Sequence, residues 1–254
     1  SGTSYRQPFA PLLPGVYFAS PNNPDELVNK ITDRTAAVIV EPIQGEGGVR
    51  PIPQATAVVL KTLCDQTGTL LIADEVQCGL GRTGKPFFST ELELKPDLMA
   101  LGKSLGSGMP IGTALMSEAV ADAIAFGDHG STYGGNLLAC RAALVFLDAL
   151  ENGLQERIQT AGHRLRAGLE KFVAESSAIS EVRGAGLMCG IEVKPSVAEN
   201  IVTTALNKKL LVNRTAETVV RLLPPLNISD EDIDEALIRL RAAFKEAGAN
   251  VSPH

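Results

Sequence analysis

Little in this sequence could hold a metal. Its four cysteines, Cys64, Cys78, Cys140 and Cys189, lie far apart, with no Cys-x-x-Cys pair and no histidine partner nearby. The three histidines, His129, His163 and His254, are equally scattered. Such spacing argues against a zinc site and reads instead as reduced, buried or half-buried thiols. No apolar run approaches the length of a membrane span. Basic residues are not in excess: 23 Lys and Arg stand against 29 Asp and Glu, a net charge of -6. That balance argues against a nucleic-acid or anionic-membrane surface. No signal-peptide pattern opens the chain, where Pro8, Pro11 and Pro14 break the first residues. A cytoplasmic location is expected. No internal repeat or low-complexity segment is visible.

What remains is an ordinary globular composition, 44% hydrophobic and 20% charged. The 254 residues suffice for one large or two modest domains. Residues 1–24 read as an irregular connector, followed by a short helix over 25–33. Residues 36–41, 69–73, 97–101 and 111–116 are apolar throughout and read as buried strands. A tight loop spans 44–48, and a helix spans 54–67 with Gly68 closing it. Apolar strands separated by helices indicate a parallel sheet covered on both faces. Amphipathic helices are expected over 137–150 and 154–173, around Asn152-Gly153. Beyond Ser176 the pattern changes to loose alternation over 182–193. A helix over 197–209 follows, then short strands over 210–213 and 218–223. A terminal helix over 230–246 starts at the N-cap Ser229. The expected organisation is a large domain over 1–150 and a small α+β domain over 151–254.

In parallel sheets of this kind, ligands bind at the carboxyl ends of the strands. Glu41, Asp74 and Lys103 all fall at or just beyond such ends. Lys103 sits in the 100–112 segment among four glycines and several aliphatic residues, with no acid close by in sequence. A cation there is expensive to bury. A free lysine is neutral in only roughly 1 molecule in 2,500 at pH 7. A lysine in such a place escapes both difficulties as a neutral amine or an imine, which suggests Schiff-base chemistry. Taken alone, Lys103 reads as a surface turn lysine and Asp74 as a structural strand-end carboxylate. The two together at strand ends of one sheet point to a site.

Five ordered stretches carry a family resemblance: residues 40–48 (VEPIQGEGG), 73–84 (ADEVQCGLGRTG), 101–106 (LGKSLG) with 110–112 (PIG), 127–136 (GDHGSTYGGN) and 221–226 (RLLPPL). They resemble the class III, ornithine-type, aminotransferases that use pyridoxal phosphate. Within that family, the first and fourth look most like acetylornithine aminotransferases. The resemblance implies an α/β architecture, the type I fold of pyridoxal-phosphate enzymes. That fold has a mainly parallel sheet covered by helices and a small α+β C-terminal domain. It implies that Lys103 is the Schiff-base lysine and the base that moves the substrate proton. Asp74 would pair with the pyridinium nitrogen, and Gln77 would hydrogen-bond the phenolic oxygen of the cofactor. Thr132 would bind the cofactor phosphate of the neighbouring subunit in a homodimer with shared active sites. Glu46 would be a switchable carboxylate, and Arg221 the arginine that receives a substrate carboxylate. The implied reaction moves the ω-amino group of N-acetylornithine to 2-oxoglutarate, in arginine biosynthesis. Ornithine, succinylornithine or 4-aminobutyrate aminotransferases would share these residues.

Two departures stand out. Leu137 occupies the position after Gly-Gly-Asn where family members usually carry proline. The phosphate turn, the aromatic that stacks on the cofactor and the first substrate arginine of the family are not found. Residues 1–14 resemble the segment that follows all three. The chain thus resembles the C-terminal two-thirds of such an enzyme, and the other reading is a fragment that does not turn over.

Overall fold

The computed structural model describes residues 3–248. His254 and the first two residues of the expected connector lie outside them. Two four-stranded sheets organise the chain, each with its own helices. In chain order the strands are β1 (Ala37–Val40), β2 (Ile43–Gln44), β3 (Arg50–Pro51), β4 (Leu70–Asp74), β5 (Leu98–Leu101) and β6 (Thr113–Met116). Then come β7 (Ile179–Ala185), β8 (Met188–Val193), β9 (Asn213–Thr215) and β10 (Val219–Leu222). The longer helices are α1 (Pro24–Lys30), α2 (Gln54–Thr67), α3 (Leu137–Ala149), α4 (Gln155–Glu175), α5 (Pro195–Asn207) and α6 (Asp230–Glu246). The expected connector is not wholly irregular, since it carries a one-turn helix at Thr3–Arg6.

The first sheet has the order β1-β4-β5-β6. β1, β4 and β5 run parallel. β6 runs antiparallel to β5, which departs from the fully parallel sheet expected of these four strands. The reason lies in the connection. Residues 102–112 make a short turn and no crossover helix, and a parallel return needs a longer crossover. α2 begins after Pro53 and ends at Gly68, whose φ of 71° supplies the left-handed C-terminal turn. It covers one face of this sheet: Ala57, Leu60 and Cys64 pack with Leu71, Val38 and Val40. Cover on both faces is not found at β1 among the described residues, where Ile39 is 66% exposed.

The second sheet, β7-β8-β10-β9, is antiparallel. Its last strand falls at Asn213–Thr215 rather than over 210–213. Leu210 instead donates its N–H to Ala205 O at 2.9 Å and so closes α5. Ser229 caps α6, its hydroxyl accepting from Asp232 N at 3.0 Å. α3 starts at Asn136, whose side chain accepts from the N–H groups of Leu138 and Ala139 at 3.1 Å each. Leu137 therefore stands at the first helical position, where proline would also fit. A kink at Asn152 and Gly153 separates α3 from α4.

One apolar cluster runs through both halves. It joins Leu80, Leu101 and Leu105 to Ile158, Leu165 and Phe172 on α4, Ile191 on β8, and Leu240 and Phe244 on α6. No described helix is long and apolar enough to cross a membrane. All four cysteines are free, three of them buried and Cys140 half-buried. The described residues hold no cluster of histidine, cysteine and acidic side chains suited to a metal.

Candidate active site

The site lies between the two sheets, where the loop of the small β2–β3 hairpin, which follows β1, is anchored in the second sheet. That loop leaves β2 as Gly45-Glu46-Gly47-Gly48 and returns at β3. Its anchor is Val49, fully buried at a φ of 52°. A β-branched residue at positive φ is strained, at a cost of about 1–3 kcal/mol. The strain is offset by a fitted seat. A Cβ on Gly190 would lie 2.9 Å from Val49 Cβ, and one on Gly184 would lie 2.9 Å from Val49 Cγ1. Two polar clamps add to the anchor. Arg183 Nε donates to Gly48 O at 2.8 Å, and Thr215 Oγ1 donates to Glu46 O. Arg183 is held in turn by Glu181 and Glu192. Burial alone would raise the Glu192 carboxyl, but hydrogen bonds from Thr218 and Arg183 and the charges of Arg183 and Arg50 hold it below its ordinary value.

This anchoring presents Glu46 to Arg221 of β10. Arg221 Nη1 donates to Glu46 Oε1 at 2.7 Å and to Gln77 Oε1 at 3.2 Å, and Nε donates to Asn213 Oδ1 at 3.2 Å. The pair is lopsided: the Arg221 side chain is 8% exposed and that of Glu46 is 74% exposed. Gly45 leaves room for Gln77 in this position, because a Cβ there would lie 1.9 Å from Gln77 Oε1 and push that side chain aside.

Glu46, Gln77, Arg82, Lys103, Ser104 and Arg221 line a cleft of about 220 Å³. Four predicted residues, Glu46, Gln77, Lys103 and Arg221, are thus brought together. Lys103 follows β5 at a φ of 47°, an uncommon conformation for a side-chain-bearing residue. It is exposed, as a turn lysine taken alone would be. Leu101, Leu105 and Gly106 take the buried positions of the segment and leave the lysine on the open side. No hydrogen bond or ion pair to Lys103 is found among the described residues. Asp74 is half-buried at the end of the adjacent β4 and outside the cleft lining. Its Oδ1 accepts from Val76 N at 3.1 Å, which leaves Oδ2 without a protein donor among the described residues. Thr132 is not brought to the cleft. It lies exposed in the loop before α3. A larger groove of about 500 Å³ between α4 and α6 holds none of the predicted residues.

Sequence reasoning missed Arg82 and Asn213. Arg82 Nη1 donates to Leu187 O at 3.2 Å and to Pro224 O at 2.6 Å, so it braces the second sheet's loops from beneath the cleft. Burial pulls the Arg82 guanidinium down to about 10. The signal for Arg82 was its place between two glycines in the 79–84 stretch. Asn213 gave no signal, because its partner is defined only by the β9–β10 register.

A lysine without a partner among the described residues, a strand-end carboxylate and an amide, beside a paired arginine, form a class of site suited to amines and carboxylates. Comparison with known proteins names that class. The model of the family "Aminotransferase class-III" matches residues 1–244, and the chain belongs to this family. It is 41% identical over 243 residues to the acetylornithine aminotransferase of Methanocaldococcus jannaschii, covering 95% of this chain and 61% of that protein. A structure of the ornithine aminotransferase from Toxoplasma gondii superposes with a TM-score of 0.88 at 35% identity. It covers 94% of this chain and 58% of that one, and its description reports partial occupancy of PLP at the active site. The acetylornithine aminotransferase from Elizabethkingia anophelis superposes with a TM-score of 0.84 at 34% identity, covering 92% of this chain and 63% of that one. The chain thus spans 58% to 63% of the length of these three relatives.

Proposed function

We propose that the whole protein is a pyridoxal-phosphate-dependent aminotransferase that moves an ω-amino group, that of N-acetylornithine, to 2-oxoglutarate. The observation that carries this reading is the Glu46–Arg221 pair at a cleft that also exposes Lys103. The acetylornithine aminotransferase relatives support the choice of substrate.

The residues present fit the cofactor. Lys103 offers an unpaired primary amine for an aldehyde, and Asp74 Oδ2 is an acceptor without a protein donor. Gln77 has Oε1 taken by Arg221, which leaves Nε2 to donate to a phenolic oxygen. When bound, pyridoxal phosphate supplies the aldehyde and a protonated ring that draws electrons from the reacting carbon. The chain's own residues do the rest. Asp74 holds the proton on the ring nitrogen. Lys103 Nζ would hold the cofactor and, when free of it, would carry a proton to and from the substrate carbon. Arg221 offers a planar fork for a carboxylate, which a lysine could not match. Glu46 neutralises Arg221 when the incoming amine brings no carboxylate to that place. Thr132, exposed and away from this cleft, is then free to serve the phosphate of a partner subunit, so the working unit is a homodimer with shared sites. We divide the protein into a cofactor-binding domain over 1–150 and a small domain over 151–254, and assign it to the cytoplasm.

Two measurements test this. Borohydride reduction of the pyridoxal-phosphate-loaded protein, followed by peptide mapping, should place the pyridoxyl group on Lys103. A label on Lys85 or Lys95 would remove Lys103 from its role. Specificity constants for N-acetylornithine should exceed those for ornithine, succinylornithine and 4-aminobutyrate. The reverse order would change the substrate and leave the class intact.

A further inference from the structure

Arg221 is presented to the cleft by its neighbour across the sheet. Asn213 lies directly opposite Arg221 in the β9–β10 register. Its amide can face the guanidinium only through Oδ1, because the opposite flip would set donor against donor. A guanidinium has two forks, a side-on edge of Nε with Nη2 and an end-on edge of Nη1 with Nη2. Asn213 occupies Nε, Glu46 and Gln77 share Nη1, and Nη2 has no protein partner among the described residues. The same strand holds the other half of the pair, because Thr215 clamps the backbone of Glu46.

We propose that Asn213 is a positioning residue that closes the side-on edge of Arg221, so that substrate dicarboxylates bind end-on once the Glu46 side chain turns away. This rests on the aminotransferase reading and deepens it. Glu46 takes only Nη1 and is itself exposed, so it holds Arg221 by one contact and is displaced readily. The neutral amide is essential to this. It fills Nε without cancelling the charge that attracts the incoming carboxylate. A carboxylate at position 213 would fill the same place and compensate Arg221 permanently.

The test uses glutarate, a five-carbon dicarboxylate with neither amine nor keto group, so binding is read without turnover. Calorimetry on the full chain loaded with pyridoxal phosphate should give the affinity order native, then Asn213→Leu, then Asn213→Asp. The leucine variant should bind about tenfold more weakly than the native chain, the scale of one lost charged contact. A residue that merely packs would give the other order, because Asp is the closer match to Asn in shape. Any other order, including no glutarate binding by the native chain, overturns the assignment. Thermal unfolding of each variant checks its fold. If the leucine variant does not fold, the comparison of Asn with Asp still decides, with equal affinities overturning the proposal. A native chain that shows the expected order but transfers no amino group would sink the aminotransferase reading and leave Asn213 in its place.

Discussion

Replacing Glu46 with alanine isolates what the lopsided ion pair contributes. Arg221 is buried and keeps Asn213 and Gln77 as partners after the change. Glu46 is largely in solvent, so its attraction to Arg221 is screened. A fully buried arginine stripped of its partner would cost about 3–5 kcal/mol. An exposed carboxylate is worth far less, at most about 1 kcal/mol. The substitution should therefore leave folding nearly unchanged and release Arg221 for carboxylates. At about 1 kcal/mol the ratio of specificity constants should move about fivefold toward glutamate and away from ω-amines. The assay is single-turnover spectroscopy of each half-reaction in the full-length enzyme. Added salt should narrow the difference between native and variant, since screening already weakens the pair. An unchanged ratio would reduce Glu46 to a solvated loop charge. A shift above about 100-fold would refute the screening argument, because it demands more than about 2.7 kcal/mol from the pair.

Three further outcomes follow from the geometry. Gly190→Ala should press its new methyl against Val49 and Val219, and lower stability by about 1–3 kcal/mol in urea melts; a change below about 0.5 kcal/mol would show that the seat yields freely. Cys140 should react first with a thiol reagent, because burial pushes both Cys64 and Cys189 up to about 11 and raises Cys78 further still; peptide mapping that finds Cys78 labelled first would contradict the buried seat seen here. Glu192, held low against burial by its hydrogen bonds with Thr218 and Arg183, contributes stability that is present above its ordinary value of 4.5 and is lost as pH falls through the folded value. Glu192→Gln should flatten the acid limb of the stability curve as pH falls below about 4.5, and parallel curves would remove it from the anchor.

The legible parts of the sequence were those written over short range. Gly68 ends α2, Ser229 starts α6, and the strand ends at Asp74 and before Lys103 fell within a residue or two of their places. The family motifs supplied four residues of the cleft. The rest depended on contacts between distant parts of the chain. β6 has the apolar pattern of its neighbours, and only its short connection reveals that it runs the other way. The apolar neighbours of Lys103 do not themselves say which side faces solvent; the turn puts Leu101 and Leu105 inside and the lysine out. Asn213, Thr215 and Arg183 act on groups 8, 169 and 135 residues away, and no local pattern marks them.

The seat of Val49 also sets the tempo of the site. A loop fastened by a buried side chain, an arginine and a threonine cannot swing aside at each turnover without breaking its anchor. What remains free to move is the exposed Glu46 side chain, and exposed rotamers exchange in picoseconds to nanoseconds, whereas collective and lid-like motions take microseconds or longer. Enzymes commonly turn over about 1–1,000 times a second. If the proposed function holds, alternation between two kinds of substrate would not be the slow step, and viscosity or temperature should affect both half-reactions without changing the preference between them.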